Sequence, residues 1–555
     1  MNFSAKRLSQ TVTQLCLSKS IDHIVISPGS RNAPLTIGFT EHPKFTCFSI
    51  VDERCAAFFA LGMAQQANKP VALVCSSGSA LLNYFPAVAE AFYSDIPLVI
   101  LSADRPSELL EIGDGQTIQQ ENVYGKHILY NANCKEEDEN QTFNETEINI
   151  ALNTAIELQG PVHINIPFSE PLYGKVDVLK VAPQNVPARV ASGVISENLD
   201  EFAKEWNKSP KKLILVGVLA PNSIEEQYIN ALAKDESVLV LTETTSNLYH
   251  ENFIPAIDQL ITALDEDGFK ALQPDILLTF GGMVVSKRIK KFLRTYAPKM
   301  HWHVDTKKAY DTYFSLSNHI KTTPNIFLKA FLPKTEEGVS TYQNEWLTVK
   351  NKRIALHKEY VSTAPYSDFK VYANVFKSLP NKIQMQVANS AAIRYAQLFN
   401  IPSSVQVFCN RGTSGIDGSV STAIGAGYAS QLPTVLITGD LSFFYDSNAL
   451  WNNYIPKNFR IIILNNNGGG IFRILPGNKN TENFETYFET THQLQAKSLC
   501  EMYGFQYYPA KTSEEIETHL EEFFSDSEKP KLLEIFTPRT VNDEVLLEYF
   551  NFMKS

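Results

Sequence analysis

The sequence has few cysteines and no long apolar run, and both shortages narrow the class of protein. Its seven cysteines form no C-x-x-C pair, so neither a disulfide framework nor a paired-cysteine metal site is indicated. The longest uncharged apolar stretches, residues 96–103 and 213–221, fall well short of the roughly 20 residues that a membrane-spanning helix needs. The first twenty residues contain Lys6 and Arg7 and lack a continuous apolar segment, so a secretory signal is not indicated. We therefore expect a cytoplasmic protein with no membrane insertion.

Positive charge is also scarce. The chain has 49 Lys and Arg against 60 Asp and Glu, a formal net charge of −11. Attraction to the phosphate backbone is the main source of nonspecific affinity for nucleic acids, so nucleic acid is not an expected partner. Hydrophobic residues make up 44% of the 555 positions and charged residues 20%, a composition typical of a folded protein that is too long for a single core.

Short segments rich in Val and Ile alternate with helix-like segments, a pattern typical of parallel strands that are buried on both faces. The alternation begins three times along the chain. Predicted strands lie at 21–26, 47–51, 71–75, 98–102 and 162–166, then at 213–218, 237–241, 275–280 and 301–304, and finally at 383–387, 405–409, 435–438, 460–464 and 532–535. The pattern predicts an α/β fold of three doubly wound domains with mainly parallel sheets. We place these domains at residues 1–180, 190–340 and 350–555.

The most informative segment is residues 434–473, which reads as a strand, an amphipathic helix and a second strand. Right-handed crossover geometry makes the two strands parallel, so Asp440 and Asn466 both lie at the carboxyl edge of the sheet, where ligands bind. The Asp440 carboxylate, the Asn466 amide and the Gly468 backbone carbonyl are oxygen ligands of the kind that Mg²⁺ prefers. Glycines 468–470 would let the backbone approach a ligand closely.

This spacing resembles the thiamine diphosphate motif, a Gly-Asp pair followed some 25 residues later by Asn-Asn. The resemblance makes Gly439, Asp440, Asn465, Asn466 and Gly468 cofactor-binding candidates, with Mg²⁺ or Mn²⁺ held by Asp440, Asn466 and Gly468. Taken alone, Gly439-Asp440 also fits an ordinary strand-to-helix turn with Asp as a cap. Leu441 departs from the motif, since many members of this superfamily have a second Gly there.

Thiamine enzymes also need a carboxylate that protonates the aminopyrimidine ring, carried in this superfamily just beyond a strand of the N-terminal domain. Glu53 stands two positions after the predicted strand 47–51 and precedes a predicted helix at 55–67. We therefore take Glu53 as the catalytic candidate. On its own, Asp-Glu-Arg at a helix start is also typical of a solvated cap that complements the helix dipole.

Longer segments narrow the resemblance to one family. They are SPGSRNAPLTIGF (27–39), VDERCAAFFALGMA (51–64), DGQTIQQ (114–120), GPVHINIPF (160–168), NRGTSGIDGSVSTA (410–423) and NNNGGGIFRILP (465–476). They resemble the menaquinone-pathway synthases of 2-succinyl-5-enolpyruvyl-6-hydroxy-3-cyclohexene-1-carboxylate (SEPHCHC), which are transferases. The resemblance implies decarboxylation of 2-oxoglutarate on thiamine diphosphate and addition of the resulting carbanion equivalent to isochorismate, with release of CO₂.

Both substrates are dicarboxylates, and planar Arg side chains bind carboxylates with two parallel hydrogen bonds. Basic residues that follow predicted strands or turns are therefore substrate-binding candidates. The family's substrate-binding positions are matched by Ser30, Arg31, Gln116, Lys287, Arg288, Ser390, Arg394 and Arg411. The KRIKK segment that holds Lys287 and Arg288 is equally typical of a solvated helix face.

Several apolar residues are expected to line the same pocket. Ile471, Phe472 and Leu475 follow the metal loop, and Ile416 is the candidate that separates the two rings of the cofactor; core packing is an equally good interpretation of each. The Gly281-Gly282 turn lacks the G-x-G-x-x-G pattern, so we predict no bound dinucleotide in the middle domain.

Two other functions are compatible with the scaffold. One is another 2-oxo acid decarboxylase or carboligase, such as an acetolactate synthase relative; the arginine set argues against it, because pyruvate has one carboxylate. The other is a noncatalytic nucleotide-binding protein, which would have no use for Glu53 together with Asp440 and Asn466. The resemblance further implies a homodimer or homotetramer in which Glu53 and the metal motif of different subunits complete one site.

Overall fold

Three parallel sheets organise the molecule, as predicted. The computed structural model describes residues 2–189, 195–475, 477, 479 and 481–555, and within them each of the three sheets has six strands, all parallel. The predicted fold class is therefore confirmed. The predicted limits of the domains stay a prediction, and the expected start of the second domain at residue 190 lies outside the described residues.

The N-terminal sheet has the strand order β3-β2-β4-β5-β7-β6. A separate antiparallel pair, β1 with β8, joins the first described residues to the end of this domain. The elements are β1 (Phe3–Ser4), α1 (Arg7–Ser18), β2 (His23–Ile26), α2 (Ala33–Thr40), β3 (Thr46–Ser49), α3 (Glu53–Ala67), β4 (Val71–Cys75), α4 (Ser79–Asn83), α5 (Phe85–Ser94), β5 (Leu98–Asp104), β6 (Tyr130–Asn133), α6 (Gln141–Leu158), β7 (Val162–Pro167) and β8 (Lys175–Val176).

The middle sheet has the order β11-β10-β9-β12-β13-β14. A 22-residue helix, α13, follows it and leads into the third domain. The elements are α7 (Leu199–Lys208), β9 (Lys212–Val216), α8 (Glu226–Lys234), β10 (Val238–Leu241), β11 (Phe253–Ile254), α9 (Ile257–Thr262), α10 (Glu266–Leu272), β12 (Ile276–Phe280), α11 (Lys287–Thr295), β13 (Met300–Val304), β14 (Leu316–Ile320), α12 (Pro324–Phe331) and α13 (Tyr342–Thr363).

The C-terminal sheet has the order β16-β15-β17-β18-β20-β19. The elements are α14 (Asp368–Lys377), β15 (Gln384–Val387), α15 (Ala391–Ala396), β16 (Gln406–Phe408), α16 (Ser419–Ala429), β17 (Thr434–Gly439), α17 (Asp440–Tyr445), β18 (Phe459–Asn465), α18 (Ile471–Ile474), α19 (Glu482–Phe484), α20 (Lys497–Tyr503), β19 (Gln506–Ala510), α21 (Ser513–Phe524), β20 (Lys531–Phe536) and α22 (Asn542–Phe552).

Six of the described strands were not predicted. Two of them, β1 and β8, form the short separate pair, and the other four lie at the edges of the six-stranded sheets. These four are β6, β11, β14 and β19. Central strands such as β4 and β5 are buried along their whole length, which requires the continuous apolar runs that the sequence shows. An edge strand has one unpaired side and partial exposure, so polar sequences such as YNAN in β6 and LSNHI in β14 suffice.

Helices α3 and α16 join the N-terminal and C-terminal domains in one hydrophobic core. They pack backbone against backbone, because a Cβ atom at Gly62 would lie 2.0 Å from the Thr422 carbonyl oxygen and one at Gly425 would lie 2.0 Å from the Phe59 carbonyl oxygen. Any side chain at either glycine would force the helices apart. No helix in the described part of the chain is both long and apolar enough to cross a membrane.

Candidate active site

The carboxyl edge of the C-terminal sheet brings the two halves of the predicted metal motif together. Strands β17 and β18 are parallel neighbours, with Gly439 paired to Leu464. Asp440 is the first residue of α17, and Asn466 follows β18 directly. The Asp440 carboxylate accepts hydrogen bonds from the backbone N–H of Leu441 at 2.6 Å and of Gly468 at 3.0 Å. Its side chain is therefore fixed at the edge where ligands bind in such sheets.

Asn466 is held by a carboxylate that the sequence did not reveal. Its Nδ2 donates to Asp368 Oδ2 at 2.9 Å, and Thr537 Oγ1 donates to Asp368 Oδ1 at 2.6 Å. Burial, together with the Asp440 charge, raises the pKa of Asp368 to about 6. Among the described residues, Asn466 Oδ1 accepts no hydrogen bond, so this oxygen is free to bind a ligand.

The His492 ring also lies close to Asp440. Its Nε2 lies 3.3 Å from Asp440 Oδ2, and its Nδ1 accepts a hydrogen bond from the backbone N–H of Leu494 at 3.1 Å. The His492 ring therefore lies beside the Asp440 carboxylate, and its Nε2 makes no hydrogen bond with the described residues.

The glycine loop after Asn466 rests on a buried ion pair. Gly468 has φ of 152°, and a Cβ atom there would lie 2.8 Å from the Glu489 carbonyl oxygen, so the position requires glycine. The same oxygen accepts from the N–H of Gly469 at 2.6 Å. The Glu489 carboxylate is fully buried between Arg473 and Arg539. These ion pairs hold Glu489 in place, and its backbone carbonyl in turn fixes the glycine loop.

These residues open onto a cavity of about 180 Å³. The predicted site residues that line it are Ser390, Ile416, Gly439, Asp440, Asn466, Gly468, Ile471 and Phe472. A hard cation bound to a diphosphate would use the oxygen ligands found here, a carboxylate, an amide and a glycine carbonyl. Apolar walls lie beside them. The residues present therefore fit a Mg²⁺ or Mn²⁺ ion and thiamine diphosphate.

Asn465 differs from its neighbours. Its side chain does not line the cavity: Nδ2 donates to Glu534 Oε1 at 2.8 Å and to the Leu494 carbonyl at 3.0 Å. Since the last residue of β18 alternates with Asn466, the two side chains point to opposite faces of the chain. In place of the predicted cofactor contact, we propose that the Asn465 side chain holds the loop in position. Leu475 lies at the protein surface, 48% exposed and outside this cavity.

Two predicted substrate arginines lie beside the cavity. Arg394 Nη1 donates to the Ser390 carbonyl at 2.7 Å, and Arg411 Nη1 donates to Asn389 Oδ1 at 2.7 Å. Ser390 has φ of 69°, a conformation that is strained for a non-glycine residue and is common at functional sites. Arg411 also lines a second cavity, of about 400 Å³, between the three domains.

Lys287 and Arg288 begin helix α11 and are exposed. Two carboxylates fix the turn before them. The buried Glu243 accepts from the N–H groups of Val285 at 2.6 Å and Ser286 at 2.7 Å, and the half-buried Asp258 accepts from the Ser286 hydroxyl. Burial raises the pKa of Glu243 to about 7. Burial also raises the pKa of Asp258, and the charges of Arg288 and Arg394 offset part of that rise. The Arg288 guanidinium lies over the Phe550 ring of the C-terminal domain, 4.5 Å from its centroid.

The candidates of the N-terminal domain form a separate group that does not line the 180 Å³ cavity. Glu53 is the first residue of α3, and its Oε2 accepts from Asn83 Nδ2 at 3.3 Å. Arg31 is buried, donates to the Phe168 carbonyl at 2.8 Å and pairs with Glu170 at 3.2 Å. Ser30 is exposed beside it, and Gln116 is exposed with φ of 58°.

The loop that carries Arg411 and Ile416 is anchored by Glu90 of α5, which sequence reasoning missed. Glu90 is 1% exposed and accepts from the N–H groups of Gly412 at 2.7 Å and Thr413 at 2.6 Å, and from the Thr413 hydroxyl at 2.8 Å. A single Glu within an apolar helix face gives no sequence signal of such a role.

Known proteins resemble the chain along its whole length. Family models match it over residues 6–127 (thiamine pyrophosphate enzyme, N-terminal TPP binding domain), 193–387 (middle domain of thiamine pyrophosphate) and 389–535 (thiamine pyrophosphate enzyme, C-terminal TPP binding domain). Three relatives are named 2-succinyl-5-enolpyruvyl-6-hydroxy-3-cyclohexene-1-carboxylate synthase. The protein of Christiangramia forsetii is 57% identical over 100% of both chains, that of Flavobacterium psychrophilum is 56% identical over 98% of both, and that of Porphyromonas gingivalis is 37% identical over 100% of this chain and 98% of its own.

Proposed function

The chain belongs to the family of thiamine diphosphate-dependent SEPHCHC synthases, and from that membership we propose that it joins 2-oxoglutarate to isochorismate with loss of CO₂ in menaquinone biosynthesis. The observation that carries the proposal is the cavity that gathers Asp440, Asn466 and Gly468 beside Ser390 and Ile416. It offers cation ligands, apolar walls and nearby arginines in one place.

Asp440, Asn466 and the Gly468 carbonyl are proposed to hold Mg²⁺ or Mn²⁺ and, through it, the diphosphate. Thiamine diphosphate supplies, when bound, the carbon nucleophile that decarboxylation of a 2-oxo acid requires. Ile416 is 37% exposed and lines the cavity, and its carbonyl accepts from Ser442 Oγ at 2.6 Å. That bond supports Ile416 as the apolar prop of the cofactor, with Ile471 and Phe472 as the walls.

Glu53 is proposed to exchange a proton between its carboxyl group and the aminopyrimidine ring. Within one chain it lines a different region from the metal cavity, which supports a site shared between two subunits of a homo-oligomer. Helix α3 exposes the Glu53 end while its middle is buried against α16, so the carboxyl remains available to a partner chain.

The cationic residues are proposed to bind the substrate carboxylates. Arg394 and Arg411 lie next to the cofactor cavity, while Ser30, Arg31, Gln116, Lys287 and Arg288 would bind from the other two domains. Arginine suits this work because its planar fork matches a carboxylate. A substrate with two carboxylates can pair with more of these cationic side chains than pyruvate, which has one carboxylate.

Further proposals concern the location of the protein and the ligands that it does not bind. We place the protein in the cytoplasm, with no nucleic acid partner. We also propose that the middle domain binds no dinucleotide, since the loops after β9 and β12 contact each other closely: a Cβ atom at Gly217 would lie 1.9 Å from the Gly282 carbonyl oxygen.

One experiment tests the function directly. The purified protein is incubated with 2-oxoglutarate and isochorismate, with and without thiamine diphosphate and Mg²⁺, and the product is identified by mass spectrometry. We expect SEPHCHC only with the cofactor and metal present. Turnover of pyruvate in preference to 2-oxoglutarate would favour an acetolactate synthase relative, and failure to bind thiamine diphosphate would favour a noncatalytic protein.

A further inference from the structure

A buried carboxylate far from the metal motif in sequence controls one of the proposed metal ligands. Asp368 is the first residue of α14, 98 positions from Asn466 in the chain, and is 3% exposed. It lines the same cavity as Asp440, Asn466 and Gly468. Its two oxygens accept from Asn466 Nδ2 at 2.9 Å and from Thr537 Oγ1 at 2.6 Å, and its backbone N–H donates to Asn542 Oδ1 at 2.8 Å.

The contact between Asp368 and Asn466 matters because the two ends of an amide group differ chemically. An Asn side chain has an oxygen at one end and an NH₂ group at the other, and only the oxygen binds a cation. An ionised carboxylate only accepts hydrogen bonds. With Asp368 on one side of Asn466, the NH₂ end therefore faces Asp368 and the oxygen end faces the cavity.

We infer that Asp368 is a positioning residue that orients the Asn466 amide with its oxygen toward the metal ion. The inference rests on the proposed function in one respect only, that Asp440, Asn466 and Gly468 hold a divalent cation. Groups that orient metal ligands in this way commonly change metal affinity by about 10–100-fold when they are replaced.

The first test compares two replacements by Mn²⁺ binding. Free Mn²⁺ is measured by electron paramagnetic resonance during titration of the full-length protein with saturating thiamine diphosphate. In Asp368→Ala the amide loses its partner and turns freely, so we expect Mn²⁺ affinity to fall by about 10–100-fold. In Asp368→Asn the new amide can offer its oxygen to Asn466 and its NH₂ to the Thr537 hydroxyl, which can accept. We therefore expect Asp368→Asn to remain within about threefold of wild type, inside the scatter of a conservative change.

The second test removes the need for orientation. A carboxylate has oxygen at both ends, so Asn466→Asp combined with Asp368→Ala should recover most of the lost Mn²⁺ affinity. Asn466→Asp alone places two buried carboxylates in contact and should not raise the affinity. Thr537→Val serves as the matched control, because it removes the other hydrogen bond to Asp368 and leaves Asn466 its partner; its Mn²⁺ affinity should equal wild type.

The outcomes separate this inference from the proposed function. If wild type binds no Mn²⁺ with thiamine diphosphate, both are wrong. If wild type binds Mn²⁺ and Asp368→Ala binds it equally well, the metal site stands and the positioning role is wrong. If Asp368→Asn loses as much affinity as Asp368→Ala, Asp368 acts through its charge and not through orientation. Should Asp368→Ala fail to fold, Asp368→Leu takes its place in the comparison, because Leu fills the space of the Asp side chain and cannot accept a hydrogen bond from Asn466.

Discussion

Glu90 offers the sharpest test of how the N-terminal domain supports the active site. Its carboxylate accepts three hydrogen bonds from Gly412 and Thr413, at 2.6–2.8 Å, and one from Ser94 Oγ at 2.7 Å. Glu90→Ala leaves the three loop donors without an acceptor. Each buried unsatisfied group costs about 1–3 kcal/mol, and water that enters the space left by the side chain offsets part of this.

We therefore expect a loss near the lower bound of that sum, about 3 kcal/mol. For a unit of 150–250 residues, 1 kcal/mol corresponds to about 2–4 °C in Tm, so Tm should fall by about 6–12 °C. Glu90→Gln retains one oxygen but turns an NH₂ group toward a backbone N–H, which cannot accept, so about half of that fall is expected.

Calorimetry at fixed thiamine diphosphate and Mg²⁺ concentrations measures the change, and Glu226→Ala on the exposed face of α8 is the matched control. Because the same loop carries Arg411, KM for the substrate that Arg411 is proposed to bind should also rise in Glu90→Ala. A Tm within about 2 °C of wild type, below the shift that 1 kcal/mol produces, would show that the carboxylate does not anchor the loop.

Three further predictions concern the proposed catalytic residues. Asp440→Ala should abolish metal-dependent binding of thiamine diphosphate, because the diphosphate loses its bridging cation; calorimetric titration with Mg²⁺ checks this, and wild-type affinity would remove Asp440 from the site. Glu53→Gln should keep the fold and much of the cofactor affinity but lower kcat by about 10²-fold or more; decarboxylation of 2-oxoglutarate at the native rate would identify Glu53 as the wrong carboxylate. Arg394→Ala or Arg411→Ala should lower kcat/KM by about 30-fold to several thousand-fold, since truncating one side of a desolvated charge pair costs about 2–5 kcal/mol, with Lys as an incomplete substitute. Measuring kcat/KM separately for 2-oxoglutarate and isochorismate assigns each arginine, and two variants equal to wild type for both substrates would refute the dicarboxylate argument.

The central strands, and the meeting of Asp440 with Asn466 at one sheet edge, could be predicted because their signals are local. Strand β4 was predicted with its observed bounds, Val71–Cys75, since full burial on both faces demands an unbroken apolar run. Asp440 and Asn466 directly follow the neighbouring strands β17 and β18, whose crossover has only one favoured hand. Their meeting at one sheet edge therefore follows from the order of elements alone.

The supporting residues could not be predicted because their partners are distant in sequence. Asp368 meets Asn466, Glu90 meets the loop at Gly412, and neither carries a motif. Asn465 shows the opposite error: it stands inside the motif, yet strand alternation turns its side chain away from the cavity. A motif indicates which segment approaches a ligand, while tertiary packing decides which of its side chains does so.

The close packing of α3 against α16 at Gly62 and Gly425 has a consequence for how two active sites relate. Helix α3 begins at Glu53, and α16 begins two residues after Asp417, next to Ile416. In the proposed dimer, Glu53 at the start of α3 serves one site and Ile416, just before α16, serves the other. The two helices approach main chain to main chain at Gly62 and Gly425. A shift at one end is therefore not absorbed by a change of rotamer but passes along the helix pair. In the proposed dimer, we therefore expect a change at one site to alter the rate at the other.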